Sequence, residues 1–181
     1  TVASVCPAFF HPGSWIGSDR DGNPNVTAKV SRKVADKFYS HMVETLAEAT
    51  YTVGRNLTLE SRTTPANAQL LALWSRQKEL SEKLTSHAEL ISSREPHRAC
   101  LFVMADRLRA TKDRNADLMY TGYEEFLDDL KTVQKSLAEA GAVRSAYGPV
   151  QTLIWQVETF GFHMVEMEFR QHSIVHTRAL E

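Results

Sequence analysis

One apolar stripe constrains the fold of this chain more than any other sequence feature. Between Val30 and Val53, apolar residues recur at steps of three and four positions. The members of the stripe between these ends are Val34, Phe38, Met42, Leu46 and Ala49. This spacing predicts a long amphipathic helix that buries one face against other elements. Gly54 is expected to end that helix.

The same periodicity predicts four further helices, each with its own start signal. The start signals are Thr64 as a cap with Pro65 in the first turn, Pro96, a capping box formed by Thr121 and Glu124, and Pro149. The stripe of the first of these helices runs from Leu70 to Ile91, and we expect one continuous helix there. Gly141 and Gly161 are expected to close the last two helices.

Both ends of the chain show strand patterns instead. Residues 2–10 form a short apolar run that leads into a turn-rich loop, residues 11–25. Residues 162–170 alternate with period two, which predicts a strand. Val165, Met167 and Phe169 form one face of it, and Met164, Glu166, Glu168 and Arg170 form the other. Residues 173–181 resemble the first turns of a helix, and since the chain also lacks an initiator Met, we expect a fragment of a longer protein.

Charge and cysteine content exclude several classes of protein. The chain has 181 residues, with 21 Lys and Arg against 22 Asp and Glu, for a net charge of −1. Without a basic excess, nucleic acid and anionic membranes are disfavoured partners, and no apolar stretch approaches the ~20 residues that span a bilayer. The two cysteines, Cys6 and Cys100, are expected to be buried, reduced thiols in a cytosolic protein.

The loop over residues 13–24 is the most informative segment for function. It combines three glycines, a tryptophan and Arg20 between two aspartates, directly after the predicted strand. Glycine allows close backbone approach to a ligand, and arginine presents a planar fork to phosphate or carboxylate. A calcium loop does not fit, because Pro24 stands where glycine is required and Val30 where the bidentate glutamate belongs. A plain surface turn remains the alternative.

The second candidate segment is residues 166–173, where the polar strand face ends in Arg170. In a barrel of parallel strands, residues at the strand C-termini face the active site. On the pattern alone, an edge strand with a solvated charged face is the better explanation. His172 and His176 lie one helical turn apart, but without a third ligand an exposed helix face explains them better than a metal site.

Three segments, taken in order, resemble the phosphoenolpyruvate carboxylase family. The first reads Gly13-Ser14-Trp15-Ile16-Gly17-Ser18-Asp19-Arg20-Asp21-Gly22-Asn23-Pro24-Asn25-Val26-Thr27 and is similar to the family signature G-S-W-x-G-G-D-R-D-G-N-P-x-V-T. The second, Glu95-Pro96-His97-Arg98, resembles E-P-Y-R. The third, residues 160–173, resembles F-G-F-H-L-x-x-L-D-x-R-Q-x-S. So many nearly consecutive matches to motifs of such unusual composition make the resemblance to this family specific.

The resemblance implies a fold and a reaction. The chain would be a mainly α, helical segment of a phosphoenolpyruvate-carboxylase-type (β/α)8 barrel with short strands near its two ends. Residues 1–25 would hold a strand and the signature loop, residues 26–160 a helical excursion, and residues 161–181 a strand and the start of the next helix. The family carboxylates phosphoenolpyruvate with bicarbonate to oxaloacetate and phosphate, an anaplerotic carbon fixation that feeds the tricarboxylic acid cycle.

The family resemblance also implies cofactor, partners and location. A divalent metal, Mg²⁺ or Mn²⁺, is expected in the parent enzyme, with its ligands outside this chain. The catalytic histidine motif is also expected outside it, so no catalytic residue and no metal ligand is assigned here, and the fragment alone is expected to be inactive. The implied partners are phosphoenolpyruvate, bicarbonate and the rest of the same polypeptide, in a cytoplasmic homotetramer.

The resemblance assigns roles to residues of the two segments. Arg170 matches the arginine on the substrate phosphate, and Trp15 the aromatic wall beside the substrate methylene. Arg20 either contacts substrate or is locked between Asp19 and Asp21 to shape the loop, and the second role is favoured. Further signature and supporting residues are Gly17, Asp19, Asp21, Gly22 and Asn23, with Gln171 and Ser173 as supports of Arg170. Ser18, where the family most often has glycine, and His172, where glutamate is common, receive no role.

A second hypothesis is a non-catalytic helical interaction module related to the carboxylase. Its apolar stripes, with Leu70, Trp74 and Phe126 as examples, would then bind a partner instead of forming a core. For the carboxylase fragment, the unpaired edges of an incomplete barrel predict packing mainly through helices, or self-association.

Overall fold

The computed structural model describes residues 6–181, which form a predominantly helical structure with two short strands. The helices are α1 (Ala28–Asn56), α2 (Ala68–Leu80), α3 (Glu82–Ser92), α4 (Pro96–Lys112), α5 (Tyr123–Glu139), α6 (Val143–Ser145), α7 (Gln151–Phe160) and α8 (Ser173–Leu180). The strands are β1 (Gly13–Ser14) and β2 (Glu166–Met167). The predicted class, mainly α with short strands near both ends, is confirmed.

The first strand lies later in the chain than the apolar run predicted. Residues 2–5 of that run lie outside the described part, and residues 6–10 form no strand. Phe9 is 83% exposed and Phe10 61%. Pairing with β2 begins only where the Pro12 carbonyl accepts the Glu166 N–H at 2.9 Å, so the strand forms where a partner strand is available.

Gly54 does not end α1, which continues to Asn56. A Cβ atom at Gly54 would lie 3.2 Å from Leu101 Cβ and from the Phe102 ring. Glycine therefore serves close packing between α1 and α4 at this position. The helix ends when the Leu57 N–H donates to the Gly54 carbonyl at 3.1 Å.

The stripe predicted as one helix from Leu70 to Ile91 is divided at Ser81. Ser81 is extended, with φ −160° and ψ 104°, and its Oγ accepts the Leu84 N–H at 3.4 Å. A serine hydroxyl that caps a new helix competes with continuation of the old one. At the start of α2 the cap is Asn67 and not Thr64, because Asn67 Oδ1 accepts the Leu70 N–H at 2.9 Å.

Two other predicted helix starts are displaced. The Thr121 N–H and hydroxyl both donate to Glu125, at 3.0 Å each, so the predicted capping partner Glu124 was wrong by one residue. The last long helical stretch begins at Val143, and Pro149 lies inside a π-helical turn, Ala146–Val150. The wider turn interrupts the regular ladder, so the missing proline N–H is tolerated there.

Other boundaries follow the prediction. Pro96 occupies the first turn of α4. Gly141 and Gly161 follow α5 and α7 with φ +82° and +52°, values that glycine adopts more readily than other residues. The α8 helix lies where the last residues predicted one.

Helix α4 is the centre of the core and is buried on nearly all sides. It packs on α1, α3 and α5, and α5 in turn packs on α2 and α7. The largest fully buried side chains include Leu46, Leu70, Leu101, Met104, Leu108, Phe126, Leu130, Leu137 and Leu153. The central part of each stripe is therefore core. Of the residues that the interaction-module hypothesis assigned to a partner surface, Leu70 and Phe126 are buried in this core and Trp74 is partly buried against it.

A charged cluster joins α2, α4 and α5 within this core. Asp129, 1% exposed, accepts from Arg76 at 2.6 Å, from Tyr120 at 3.2 Å and from Arg107 at 3.4 Å. The Arg107 Cζ lies 3.7 Å from the centroid of the Tyr120 ring. Burial raises the pKa of the Asp129 carboxyl to about 6 despite these partners.

His97 is a buried neutral residue of α4. Its side chain is fully buried, and Nε2 lies 2.8 Å from the Ser136 hydroxyl of α5. Burial lowers the pKa of His97 to about 4, because the charged imidazolium would lose its hydration.

The two cysteines differ in their exposure. Cys100 is buried as expected, but Cys6 is exposed, and both are free. No helix within residues 6–181 has the length and hydropathy needed to cross a membrane.

Phe126→Ala tests the role of the stripes. We expect it to lower the free energy of unfolding by about 3–5 kcal/mol, since a fully buried ring is replaced by a cavity. Leu90→Ala, at a side chain 82% exposed, is the control and should change stability little. Chemical denaturation followed by circular dichroism measures both, and equal stability of the two variants would contradict the assignment of Phe126 to the core.

His97→Gln tests the buried histidine. The unfolded chain binds a proton near the ordinary pKa of 6.5 and the folded chain only near 4, so wild-type stability falls as the pH drops through this window. The difference in unfolding free energy between wild type and variant should change by about 3 kcal/mol between pH 7 and pH 4. Asp129 contributes equally to both proteins and cancels. His87→Gln, which replaces an exposed histidine of α3, is the matched control for the loss of an imidazole.

Candidate functional site

The two candidate segments lie side by side, although about 150 residues separate them in the chain. Strands β1 and β2 are parallel, with Gly13 opposite Glu166 and Ser14 opposite Met167. The Glu168 N–H donates to the Ser14 carbonyl at 3.0 Å. Both segments therefore leave the small sheet in the same direction and extend beyond its carboxyl end together.

Backbone pairing continues past the strands as far as Arg20. The Arg170 N–H donates to the Ser18 carbonyl at 3.2 Å, and the Arg20 N–H donates to the Arg170 carbonyl at 3.0 Å. Asp19 and Arg170 form an isolated parallel bridge. The position of the Arg170 backbone is thus fixed by the signature loop.

The Arg170 guanidinium lies between a carboxylate and an aromatic ring. Nε and Nη2 donate to the two oxygens of Glu168 at 3.2 and 3.4 Å. The Arg170 Cζ also lies 4.8 Å from the centroid of the Trp15 ring. The Glu168 carboxylate raises the pKa of Arg170 above its ordinary value. An arginine side chain is cationic at physiological pH even without this effect. The side chains of Arg170 and Glu168 are 45% and 64% exposed.

Trp15 projects from a tight turn and is 56% exposed. Its carbonyl accepts the N–H groups of Ser18 and Asp19 at 2.9 and 3.1 Å, which closes the turn. Gly17 sits in this turn with φ +73°, and a Cβ atom there would lie 2.6 Å from Val34 Cγ2. The turn therefore requires glycine both for its backbone conformation and for its packing on α1.

Arg20 turns away from Arg170 and towards α1. Its Nη2 donates to the Ser31 hydroxyl at 3.3 Å, and its Cζ lies 5.7 Å from the centroid of the Phe169 ring. Ser31 in turn donates to the Gly17 carbonyl at 2.6 Å. Among the described residues, the hydrogen bond of the Arg20 side chain goes to Ser31, and neither Asp19 nor Asp21 holds it.

The remaining signature residues shape the loop locally. Asp19 Oδ1 accepts the Asp21 N–H at 3.3 Å, and Asn23 Oδ1 accepts the Asn25 N–H at 3.0 Å. Both contacts are the side-chain turns that aspartate and asparagine favour. Gly22 has φ +71°, with open space where a Cβ would be.

The expected supports of Arg170 lie near it in sequence but bond elsewhere. Gln171 Oε1 accepts the His172 N–H at 3.2 Å. The Ser173 carbonyl accepts the Thr177 hydroxyl at 3.3 Å. His172 caps α8, because its Nδ1 accepts the Ile174 N–H at 3.3 Å. Within residues 6–181 no group of three or more His, Cys, Asp or Glu side chains is placed to hold a metal ion.

Two residues without an assigned role prove central to the geometry. Glu168 holds the Arg170 fork. Ser18 is fully buried, and its hydroxyl donates to the Glu168 carbonyl at 2.7 Å. The period-two pattern places Glu168 and Arg170 on the same strand face, so the sequence alone could have predicted that these two side chains pair. Nothing in the sequence signals that Ser18 reaches the other segment.

The arrangement suits an anion with a small apolar part. A guanidinium fork binds a phosphate or carboxylate through two parallel hydrogen bonds. The adjacent indole ring offers an apolar surface for the non-ionic part of such a molecule. Arg170 and Trp15 are the residues that the family resemblance assigns to the substrate, and they lie next to each other here.

Comparison with known proteins identifies the family. The family model for phosphoenolpyruvate carboxylase matches residues 2–181. The chain belongs to the phosphoenolpyruvate carboxylase family.

Curated relatives agree over nearly the whole chain. The phosphoenolpyruvate carboxylase of Chromobacterium violaceum is 34% identical over 179 residues, which is 94% of this chain. Those of Nocardia farcinica and Ralstonia nicotianae are 33% and 34% identical over 95% and 94% of it. The chain spans 19% of the length of the Chromobacterium and Nocardia proteins and 18% of the Ralstonia protein.

Gly17→Ala tests the packing of the loop on α1. Gly17 and Gly22 both have positive φ, so alanine is conformationally strained at either position. Its Cβ atom would clash with Val34 at Gly17 but would meet no atom at Gly22. We expect Gly17→Ala to be more destabilising than Gly22→Ala by about 1–3 kcal/mol. Hydrogen exchange of residues 15–20, read as local opening free energy, measures the difference. Equal protection in the two variants would refute the packing role of Gly17.

Proposed function

We propose that this chain forms part of the substrate site of an enzyme that carboxylates phosphoenolpyruvate with bicarbonate to oxaloacetate and phosphate. The observation that carries the proposal is the cationic fork of Arg170 beside the exposed ring of Trp15. Membership of the phosphoenolpyruvate carboxylase family supports it. The reaction is an anaplerotic carbon fixation that supplies the tricarboxylic acid cycle.

In this proposal Arg170 binds the substrate phosphate. The phosphate exchanges with the Glu168 carboxylate, which is an exposed partner and therefore a weakly held one. A bidentate guanidinium orients the phosphate for attack by bicarbonate and balances charge that develops during its transfer. Trp15 covers the apolar side of the substrate, next to its methylene carbon.

Arg20 has a structural role in this proposal. Its contacts with Ser31 and Phe169 hold the loop against α1 and β2. Gly17, Asp19, Asp21, Gly22 and Asn23 shape the loop, and Gln171 and Ser173 shape the turn into α8. None of these residues is proposed as catalytic, and we propose that the catalytic residues lie elsewhere in the polypeptide.

The proposed architecture is part of a (β/α)8 barrel. Parallel pairing of β1 and β2 at this edge, with all of α1 to α7 between them, is consistent with two neighbouring barrel strands. Residues 1–25 then carry a strand and the signature loop, residues 26–160 the helical excursion, and residues 161–181 a strand and the next helix. Exposed Phe9, Phe10 and Ile16 provide apolar surface on which further barrel elements would pack.

A divalent metal, Mg²⁺ or Mn²⁺, belongs to the proposed reaction, in which it stabilises negative charge on the enolate. The described residues contain no cluster that fits such an ion, so its ligands are proposed elsewhere in the polypeptide. The chain alone is accordingly proposed to be inactive. A cytoplasmic homotetramer is the proposed state of the whole enzyme.

Arg170→Ala in the full-length protein that contains this chain tests the proposal. We expect kcat/KM for phosphoenolpyruvate to fall. The fall should correspond to a loss of about 2–4 kcal/mol of transition-state stabilisation, as for the loss of one oriented hydrogen-bond donor. Arg170→Lys keeps the charge and loses the fork, so its activity should lie between wild type and alanine. The measurement is steady-state oxaloacetate formation.

The matched control is Arg178→Ala, which removes an exposed arginine from α8, outside the loop and strand contacts. It should leave kcat/KM near the wild-type value. Wild-type kcat/KM in Arg170→Ala would refute the assignment of Arg170 to the substrate phosphate.

A further inference from the structure

Ser18 forms hydrogen bonds to Trp15, to Arg170 and to Glu168, the residue whose carboxylate binds the Arg170 guanidinium. Its N–H donates to the Trp15 carbonyl at 2.9 Å. Its carbonyl accepts the Arg170 N–H at 3.2 Å. Its hydroxyl donates to the Glu168 carbonyl at 2.7 Å. The bond to Trp15 closes the turn from which the indole ring projects. The bonds to Glu168 and Arg170 hold the backbone of residues 168–170, which carries the Arg170 guanidinium.

The hydroxyl contact differs from the other two, because the side chain makes it. Any residue supplies the backbone N–H and carbonyl, whereas the link to Glu168 requires a donor on the side chain. Ser18 is fully buried, so water has no access to replace that donor. The Glu168 carbonyl is therefore held in this chain by a bond that glycine, common at this position in the family, does not make.

We propose that Ser18 is a positioning residue that raises the affinity of the site for phosphoenolpyruvate by fixing the direction of the Arg170 fork. The inference rests on the proposed function of Arg170. Glu168 and Arg170 lie on the same side of an extended segment, and the Glu168 carboxylate holds the guanidinium over Trp15. Fixing the Glu168 carbonyl limits rotation of that segment and so limits the orientations of the fork.

The effect is an adjustment of binding and not a requirement for chemistry. Loss of one neutral hydrogen bond corresponds to roughly a threefold to tenfold change in an equilibrium constant. Arg170 contacts the phosphate both before and during the reaction in the proposed function, so weaker positioning appears mainly in KM. A residue that merely stabilised the fold would lower the amount of active enzyme, and hence kcat, without raising KM.

The test is Ser18→Ala in the full-length protein, with Ser14→Ala as the matched control. Ser14 is in the same loop, but its hydroxyl accepts the Ile16 N–H at 3.2 Å and does not reach residues 166–170. We expect Ser18→Ala to raise the KM for phosphoenolpyruvate about threefold to tenfold with kcat within twofold of wild type. Ser14→Ala should leave both constants near wild type.

A second measurement, hydrogen exchange, does not require catalytic activity. Hydrogen exchange of residues 166–172 in the chain should be faster in Ser18→Ala than in wild type, and Ser14→Ala should match wild type. An unchanged KM and unchanged exchange in Ser18→Ala would overturn the positioning role, as would a fall in kcat alone. Arg170→Ala separates the two proposals: if it loses activity while Ser18→Ala behaves as wild type, only the role of Ser18 fails. If Arg170→Ala is fully active, the proposed function fails as well.

Discussion

The parallel pairing of two short chain segments is the constraint on which the rest of this structure depends. Parallel strands cannot be joined by a tight turn, so a crossover connection is required between them. Here that connection is seven helices long, from α1 to α7. Strands of two residues each cannot hold such a connection in place, and the helical core must therefore position the two segments before their few hydrogen bonds contribute.

The core meets this requirement through α4, whose buried surface contacts α1 on one side and α5 on another. The chain enters α1 directly from the signature loop and reaches β2 directly from α7, which packs on α5 and α1. The Asp129 cluster adds direction to this packing. A buried carboxylate loses its hydration, and Arg76 and Arg107 offset part of that cost only when α2, α4 and α5 are arranged so that both side chains reach Asp129. Because the helices hold these positions, they also determine the distance between residues 13–24 and residues 166–173.

Periodicity predicted which segments are helical, because burial of one helix face leaves its spacing in the sequence. It failed at several helix boundaries. Gly54 serves the close packing of α4 on α1 and does not end α1, Ser81 caps a new helix within the predicted one, and Glu125 replaces Glu124 as the partner of Thr121 while also binding Arg107. The alternation over residues 162–170 predicted a longer strand than the structure has. Residues 161–163 form a turn and Met164 has φ +69°, so the strand is confined to Glu166–Met167. Resemblance to the family selected Trp15 and Arg170, whereas the Ser18 contact depends on tertiary structure and has no sequence pattern.

The exposed Glu168–Arg170 pair gives the site a property that a buried pair would not have. A salt bridge between solvated groups contributes little free energy, so its carboxylate can be exchanged for a more highly charged anion at small cost. The same pair holds the guanidinium over Trp15 while no anion is bound, which lowers the conformational entropy lost on binding. A more deeply buried carboxylate would hold the fork more firmly and would also compete more strongly with substrate. The observed geometry therefore combines an oriented cation with an easily displaced partner, and the proposed function requires both.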